Sequence, residues 1–291
     1  MGHEIKNPFL RFVVYGHVVL ATGAALQVWW IGEEWFGEGS WKRSSAAFFT
    51  TIALYGLTRL IRPKDDALNE VPLFVWYGQH ASAMSALAVA STILALFLLQ
   101  DELVEVLDRL WPVILPALLY VTPLRMGGRA IGLRSVPGLK SLVVAWAWAA
   151  GTVLLASSSH KFNLEPILIP VFIGFYWAIA IAFDCRDAAV DSTSLRTLPQ
   201  LLGARTARVL ALLLLMPLTM MLLVSLSFSG YPQSIDARPE TDWSLVLPLI
   251  GLVMPGFLIM RSTTSRHWCH WLLLDASIAL IPLLALLGGT L

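Results

Sequence analysis

Hydrophobic residues in this chain come in long runs separated by short polar stretches, and the alternation persists over its whole length. The runs cover Phe12–Ile31, Ser45–Ile61, His80–Leu99, Leu103–Val121, Leu139–Ala156, Ile167–Phe183, Arg208–Ser227, Leu245–Met260 and Trp268–Leu287. Each is close to the ~20 residues that an α-helix needs to cross the hydrocarbon of a bilayer. None has the ten-residue alternation of a barrel strand, and a backbone in lipid must satisfy its own hydrogen bonds. The pattern predicts nine transmembrane helices in an all-α, polytopic membrane protein that forms a single domain over residues 1–291.

Some positions interrupt the pattern. His17 and Gln27 are polar groups at membrane depth in the first run, where such side chains most often bond a neighbouring helix. Pro112 and Pro116 kink the fourth run and free carbonyls that lipid cannot satisfy. Trp29, Trp30, Trp35, Phe36 and Trp41 gather at one boundary and read as an interfacial aromatic belt.

Composition sharpens the class. The chain is 57% hydrophobic and 13% charged, about half the charged fraction of a soluble domain. A net charge of +1 and the lack of a basic arm give no reason to expect nucleic acid. The first run is too long for the core of a cleaved signal and has no small-residue cleavage site. Two cysteines, Cys185 and Cys269, imply no disulfide framework.

Basic residues set the expected orientation. The N-terminus and the even-numbered connections hold 15 of the 20 lysines and arginines, against 5 in the odd-numbered connections. The excess predicts that the N-terminus and even connections are cytoplasmic, in an inner membrane of bacterial or archaeal type.

Chemistry concentrates in three of those even connections. After Phe183 comes Asp184-Cys185-Arg186-Asp187-Ala188-Ala189-Val190-Asp191, with carboxylates at i, i+3 and i+7. On a helix they share a face, where like charges repel unless a cation sits among them. Oxygen ligands of this kind suit Mg2+, which keeps waters and bridges to phosphates; a solvated acidic helix end is the plainer reading. The connection after the second run mixes Arg59, Arg62 and Lys64 with Asp65, Asp66, Asn69 and Glu70, which reads either as a second Mg2+ site or as a charge-balanced loop with a helix cap. Between the fourth and fifth runs lie Arg125, Arg129, Arg134 and Lys140, interleaved with four glycines. Arg134 and Lys140 are the candidate diphosphate ligands, Lys140 because it leads into the fifth helix beside Pro137-Gly138.

Farther on come Arg196-Thr197-Leu198-Pro199-Gln200 and, three residues past Gln200, Gly203. Together with the acidic triplet this resembles the second signature of the UbiA superfamily of intramembrane prenyltransferases. The resemblance covers the topology of nine helices and one specific motif of about twenty residues. It implies a bundle around a central chamber open near the cytoplasmic side. It also implies Mg2+-dependent transfer of an isoprenyl group from a prenyl diphosphate to a lipophilic acceptor, with Asp184, Asp187 and Asp191 holding the metal and Lys140 and Arg186 at positions commonly basic.

The first signature of that family, Asn-Asp-x-x-Asp-x-x-x-Asp, is degenerate. Aligned at the end of the second helix, its polar places fall on Leu54, Tyr55, Thr58 and Arg62. Either Asp65, Asp66, Asn69 and Glu70 substitute, or a metal is missing and Arg59, Arg62 or Lys64 neutralises the diphosphate, or the protein no longer transfers prenyl groups. Three readings stay open: prenyl transfer, intramembrane terpene cyclisation, and a non-catalytic prenyl-lipid binder. Tyr55, Tyr120 and Trp146 are candidate aromatic faces for an allylic cation, and Asp275 of the last helix, an acid one turn inside the membrane, is a further candidate.

Overall fold

A computed structural model of the chain describes residues 5–61, 72–121, 124–126, 129–131, 136, 138–157, 164–188, 197–229, 242–263 and 268–289. Of the candidate residues, Arg62, Asp65, Asp66, Asn69, Arg134 and Asp191 lie outside the described residues.

Helices run through the chain as α1 Pro8–Tyr15, α2 Val18–Ile31, α3 Trp41–Ile61, α4 Pro72–Gln79, α5 Ala81–Leu98, α6 Leu103–Val121, α7 Leu139–Ala156 and α8 Glu165–Asp187. They continue as α9 Leu198–Leu202, α10 Ala204–Leu214, α11 Met216–Ser229, α12 Trp243–Gly251, α13 Val253–Met260 and α14 Trp268–Gly288. A π-helical turn, Gly32–Phe36, extends α2. In the basic connection between α6 and α7, strands β1 Leu124–Met126 and β2 Arg129–Ile131 pair antiparallel with Arg125 opposite Ala130. Apart from these two three-residue strands, every described element is helical.

Among the described residues six helical stretches, with α10–α11 and α12–α13 each taken as one, are long and apolar enough to cross a membrane, and up to seven when the bent pair Pro8–Tyr15 with Val18–Phe36 counts as one span. The sequence predicts two more, α3 and α6. Both are long enough but more polar, α3 through Arg59 and its serines and threonines, α6 through Glu105, Asp108 and Arg109.

Three of the predicted helices are broken. α10 and α11 meet at Leu215 and α12 and α13 at Leu252, each just upstream of a proline, Pro217 or Pro255, whose ring nitrogen cannot continue the ladder. α1 and α2 meet at His17, which takes a left-handed backbone (φ 58°) in a bend of 49°. That conformation is uncommon outside glycine.

Packing closes a ring, α2 on α7, α7 on α8, α8 on α10, α10 on α13, α13 on α14 and α14 back on α2, with α3 and α5 outside α2 and α6 outside α7. The contacts use small residues. Ala145 and Ala149 of α7, Ala178 and Ala182 of α8, and Ala207 and Ala211 of α10 are almost wholly buried, which lets helix axes approach closely where lipid gives no hydrophobic drive for association. At Gly174 a Cβ would lie 2.5 Å from the Leu214 carbonyl oxygen, so glycine is needed there for α8 to meet α10.

Two prolines inside helices are compensated across the bundle. Pro282 has no N–H for the Ile278 carbonyl, and Gln27 Nε2 of α2 donates to that oxygen at 3.0 Å. Pro116 leaves the Pro112 carbonyl open in the same way, and Trp146 Nε1 of α7 donates to it at 3.1 Å. Gln27 thus makes the interhelical bond expected of it, and the Trp146 indole N–H is engaged at the α6 prolines.

Candidate functional site

The last turn of α8 and the first turn of α7 come together at one end of the bundle. Gly138, at φ 72°, turns the chain into α7 in a conformation that favours glycine. Lys140 follows, and its Nζ sits 3.0 Å from Asp184 Oδ1, with the side chains 17% and 5% exposed. A carboxylate buried this far needs a cationic partner at hydrogen-bonding distance, and Lys140 supplies it.

One turn on, Asp187 is gripped by its neighbour: Arg186 Nε donates to Oδ1 at 2.6 Å and a terminal nitrogen to Oδ2 at 2.9 Å. The Arg186 guanidinium also lies over two rings, 4.8 Å from the centre of Phe183 and 5.2 Å from that of Trp271 in α14. Asp184 and Asp187 thus fall on consecutive turns of one helix, as the i, i+3 spacing requires. Behind them the Thr197-Leu198-Pro199-Gln200 segment acts as a brace. The Thr197 N–H donates to Gln200 Oε1 at 2.9 Å, while Gln200 Nε2 donates to the Ala188 carbonyl at 3.3 Å, tying α9 to the end of α8.

Arg59, from the last turns of α3, joins this group. Its guanidinium lies 5.4 Å from the centre of the Phe74 ring of α4 and within electrostatic reach of Asp187, Arg186, Tyr55 and Tyr77. Asp275 of α14 is within reach of Arg186 and Arg59. The cluster therefore joins Arg59, Lys140 and Arg186 with Asp184, Asp187 and Asp275, drawn from α3, α7, α8 and α14.

An aromatic file leads inward from it. The His17 ring lies tilted against that of Tyr55, with ring centres 4.8 Å apart. Trp148 Nε1 donates to Tyr55 Oη at 3.2 Å, and Trp148 meets Tyr176 at 5.4 Å. Tyr77 of α4 approaches His17 at 6.4 Å. The side chain of Tyr120 lies outside the described residues.

Of the residues singled out from sequence, Arg59, Lys140, Asp184, Arg186, Asp187, Asp275 and Tyr55 come together. Trp148, Tyr176 and Tyr77 were missed. A signal existed for the first two: Trp148 is eight residues beyond Lys140 and Tyr176 eight before Asp184, two turns inward on the same broad face.

Chemically, the acids offer hard oxygen donors of the type Mg2+ takes. Among the described residues no three potential metal ligands meet, and Asp191, the third acid of the sequence triplet, is not one of them. By donor type Asp184 and Asp187 fit such an ion; the basic groups around them fit a phosphorylated ligand. Neither a protein-family model nor a curated protein matches the chain.

Proposed function

We propose that this chain is an integral membrane protein that transfers an isoprenyl group from a prenyl diphosphate to a lipophilic acceptor, working at the cluster of Asp184, Asp187, Lys140, Arg186 and Arg59. The observation that carries the reading is the meeting of three cations and the helix-end acids at one end of an apolar bundle, with an aromatic file running inward from them. In this reading α3 and α6 also span, giving nine helices around a central chamber, and the cluster end faces the cytoplasm.

Asp184 and Asp187, with Asp191, would hold Mg2+, which when bound neutralises charge on the leaving diphosphate. Lys140, Arg186 and Arg59 receive diphosphate oxygens; Arg134 and Arg62 have the right charge to join them. On binding, Lys140 and Arg186 exchange their pairs with Asp184 and Asp187 for phosphate oxygens. Tyr55, Trp148 and Tyr176 present ring faces to the allylic cation as the C–O bond of the diphosphate breaks, and the apolar interior keeps water from capturing it. Asp65, Asp66 and Asn69 remain the sequence candidates for a second metal; Arg59 offers a protein-borne positive charge in their stead.

A second reading has its own observation. Each acid is already neutralised, Asp184 by Lys140 and Asp187 by Arg186, as in a prenyl-lipid binder with no catalytic role. Membranes carrying the wild type and Asp187→Ala, assayed with radiolabelled prenyl diphosphates and extracted lipid acceptors, separate the two. Turnover that falls at least about a hundredfold in the variant, the size of a lost electrostatic contact in a transition state, supports transfer. Turnover undiminished in Asp187→Ala removes the metal role, and a cyclic product formed without acceptor reassigns the chemistry to cyclisation.

A further inference from the structure

Three buried polar atoms gather beside the acid cluster with nothing to bond. Among the described residues, Arg59 Nε, Tyr77 Oη and the ring nitrogen His17 Nε2 are shielded from solvent and make no hydrogen bond. One such atom costs stability, and three in one place ask what partner they are built for.

They come from three elements. Arg59 lies in the last turn of α3, Tyr77 in α4, and His17 at the joint of α1 and α2. The His17 and Tyr77 ring centres are 6.4 Å apart, and Arg59 is within electrostatic reach of both. Phe74 and Tyr77, one turn apart on α4, share the face turned to Arg59. Contacts outside the group hold it in place. Trp76 meets Tyr15 of α1 edge-on at 5.8 Å and stacks on His80 at 4.8 Å, which pins α4 to α1. His17 is the one non-glycine residue with positive φ among those described, a conformation that persists where the surroundings impose it.

All three groups can donate, the imidazole in the tautomer with its proton on Nε2. Convergent donors around one fixed positive charge fit an oxyanion. Arg59 is also within reach of Arg186 and Asp187, so the donors adjoin the acid cluster, and a ligand with two linked phosphates serves both. At the end of α3, where the first acidic signature would put ligands, Tyr55 and Thr58 stand instead.

We infer that Arg59, Tyr77 and His17 form a metal-free clamp on one phosphate of the diphosphate, the other being held at Asp187, Lys140 and Arg186; this rests on the function proposed above. The clamp supplies the charge that a metal at the end of α3 would bring.

The test is isothermal titration of the purified full chain, in the presence of Mg2+, with farnesyl diphosphate and with farnesyl monophosphate. The monophosphate takes the metal side, where positive charge is greatest. The wild type prefers the diphosphate by about a hundredfold. Tyr77→Phe removes one oxygen, and His17→Gly removes the imidazole while keeping the positive φ without steric cost. Each cuts the preference about tenfold, the effect of one hydrogen bond to a charged group, and leaves monophosphate affinity within about twofold. Should His17→Gly fail to fold, the nearly isosteric Tyr77→Phe decides alone. A wild type that binds neither ligand fails the proposed function itself. A wild type that binds the diphosphate, with its preference unchanged in both variants, overturns the clamp alone and leaves these donors to another oxyanion, such as a carboxylate on the acceptor.

Discussion

At the scale of single residues, the Lys140–Asp184 pair and the two donors that answer the prolines have the clearest consequences. Lys140→Met leaves a buried carboxylate without its counter-ion and is expected to destabilise the protein by about 3–5 kcal/mol. Lys140→Met combined with Asp184→Leu should recover most of that loss, because an apolar pair needs no charge balance. Thermal unfolding of the detergent-solubilised variants checks this; equal losses in the single and double variants would show that the pair carries no coupling. Gln27→Leu strips the Ile278 carbonyl of its donor and should cost about 1–3 kcal/mol. In a Pro282→Ala background the new backbone N–H serves the same oxygen, so Gln27→Leu should cost much less there. A penalty unchanged by Pro282→Ala would contradict the compensation.

At the scale of elements, most of the architecture was legible because apolar runs of helical length are hard to mistake. α5, α7, α8 and α14 fall where the hydrophobic pattern puts them, give or take a turn. The breaks at Leu215 and Leu252 follow from Pro217 and Pro255 by the loss of one ladder donor each. The break at His17 has no such mark in sequence, since a left-handed non-glycine residue is held by its surroundings, here by the rings of Tyr55 and Tyr77. The candidate site was legible in its charges and, among its aromatics, in Tyr55 but not in Trp148, Tyr176 or Tyr77. Lys140, Asp184, Asp187, Arg186 and Arg59 stand out against an apolar background. Choosing Trp148 over Trp146 requires knowing which face of α7 meets α3 and which meets α6. Close packing gives one more prediction at this scale: Gly174→Ala places a methyl against the Leu214 carbonyl, should force α8 and α10 apart, and should lower the unfolding temperature, with a loss of about 1–3 kcal/mol expected of overpacking. An unchanged unfolding temperature would show that the interface yields.

At the scale of the whole molecule, the two ends of the bundle are charged in different ways. The end opposite the acid cluster is a lock: Arg43 and Arg109 both donate to the Ser157 carbonyl at the close of α7 and pair with Glu102 and Glu165, which fastens α3, α6, α7 and α8 together. Arginines at a helix C-terminus suit its dipole, and both of these find their partners within the protein. The acid cluster has the same residue types, with the rings of Tyr55, Trp148 and Tyr176 leading inward from it, and the proposed function gives it a ligand where the other end has only internal partners for its two arginines. The measurement that tests this distinction most directly is equilibrium binding of farnesyl diphosphate to the purified full chain with Mg2+ and with a chelator. The proposed function requires metal-dependent binding that weakens by about tenfold or more in Asp184→Asn, Asp187→Asn and Lys140→Met. Binding indifferent to the chelator and to all three substitutions would contradict it.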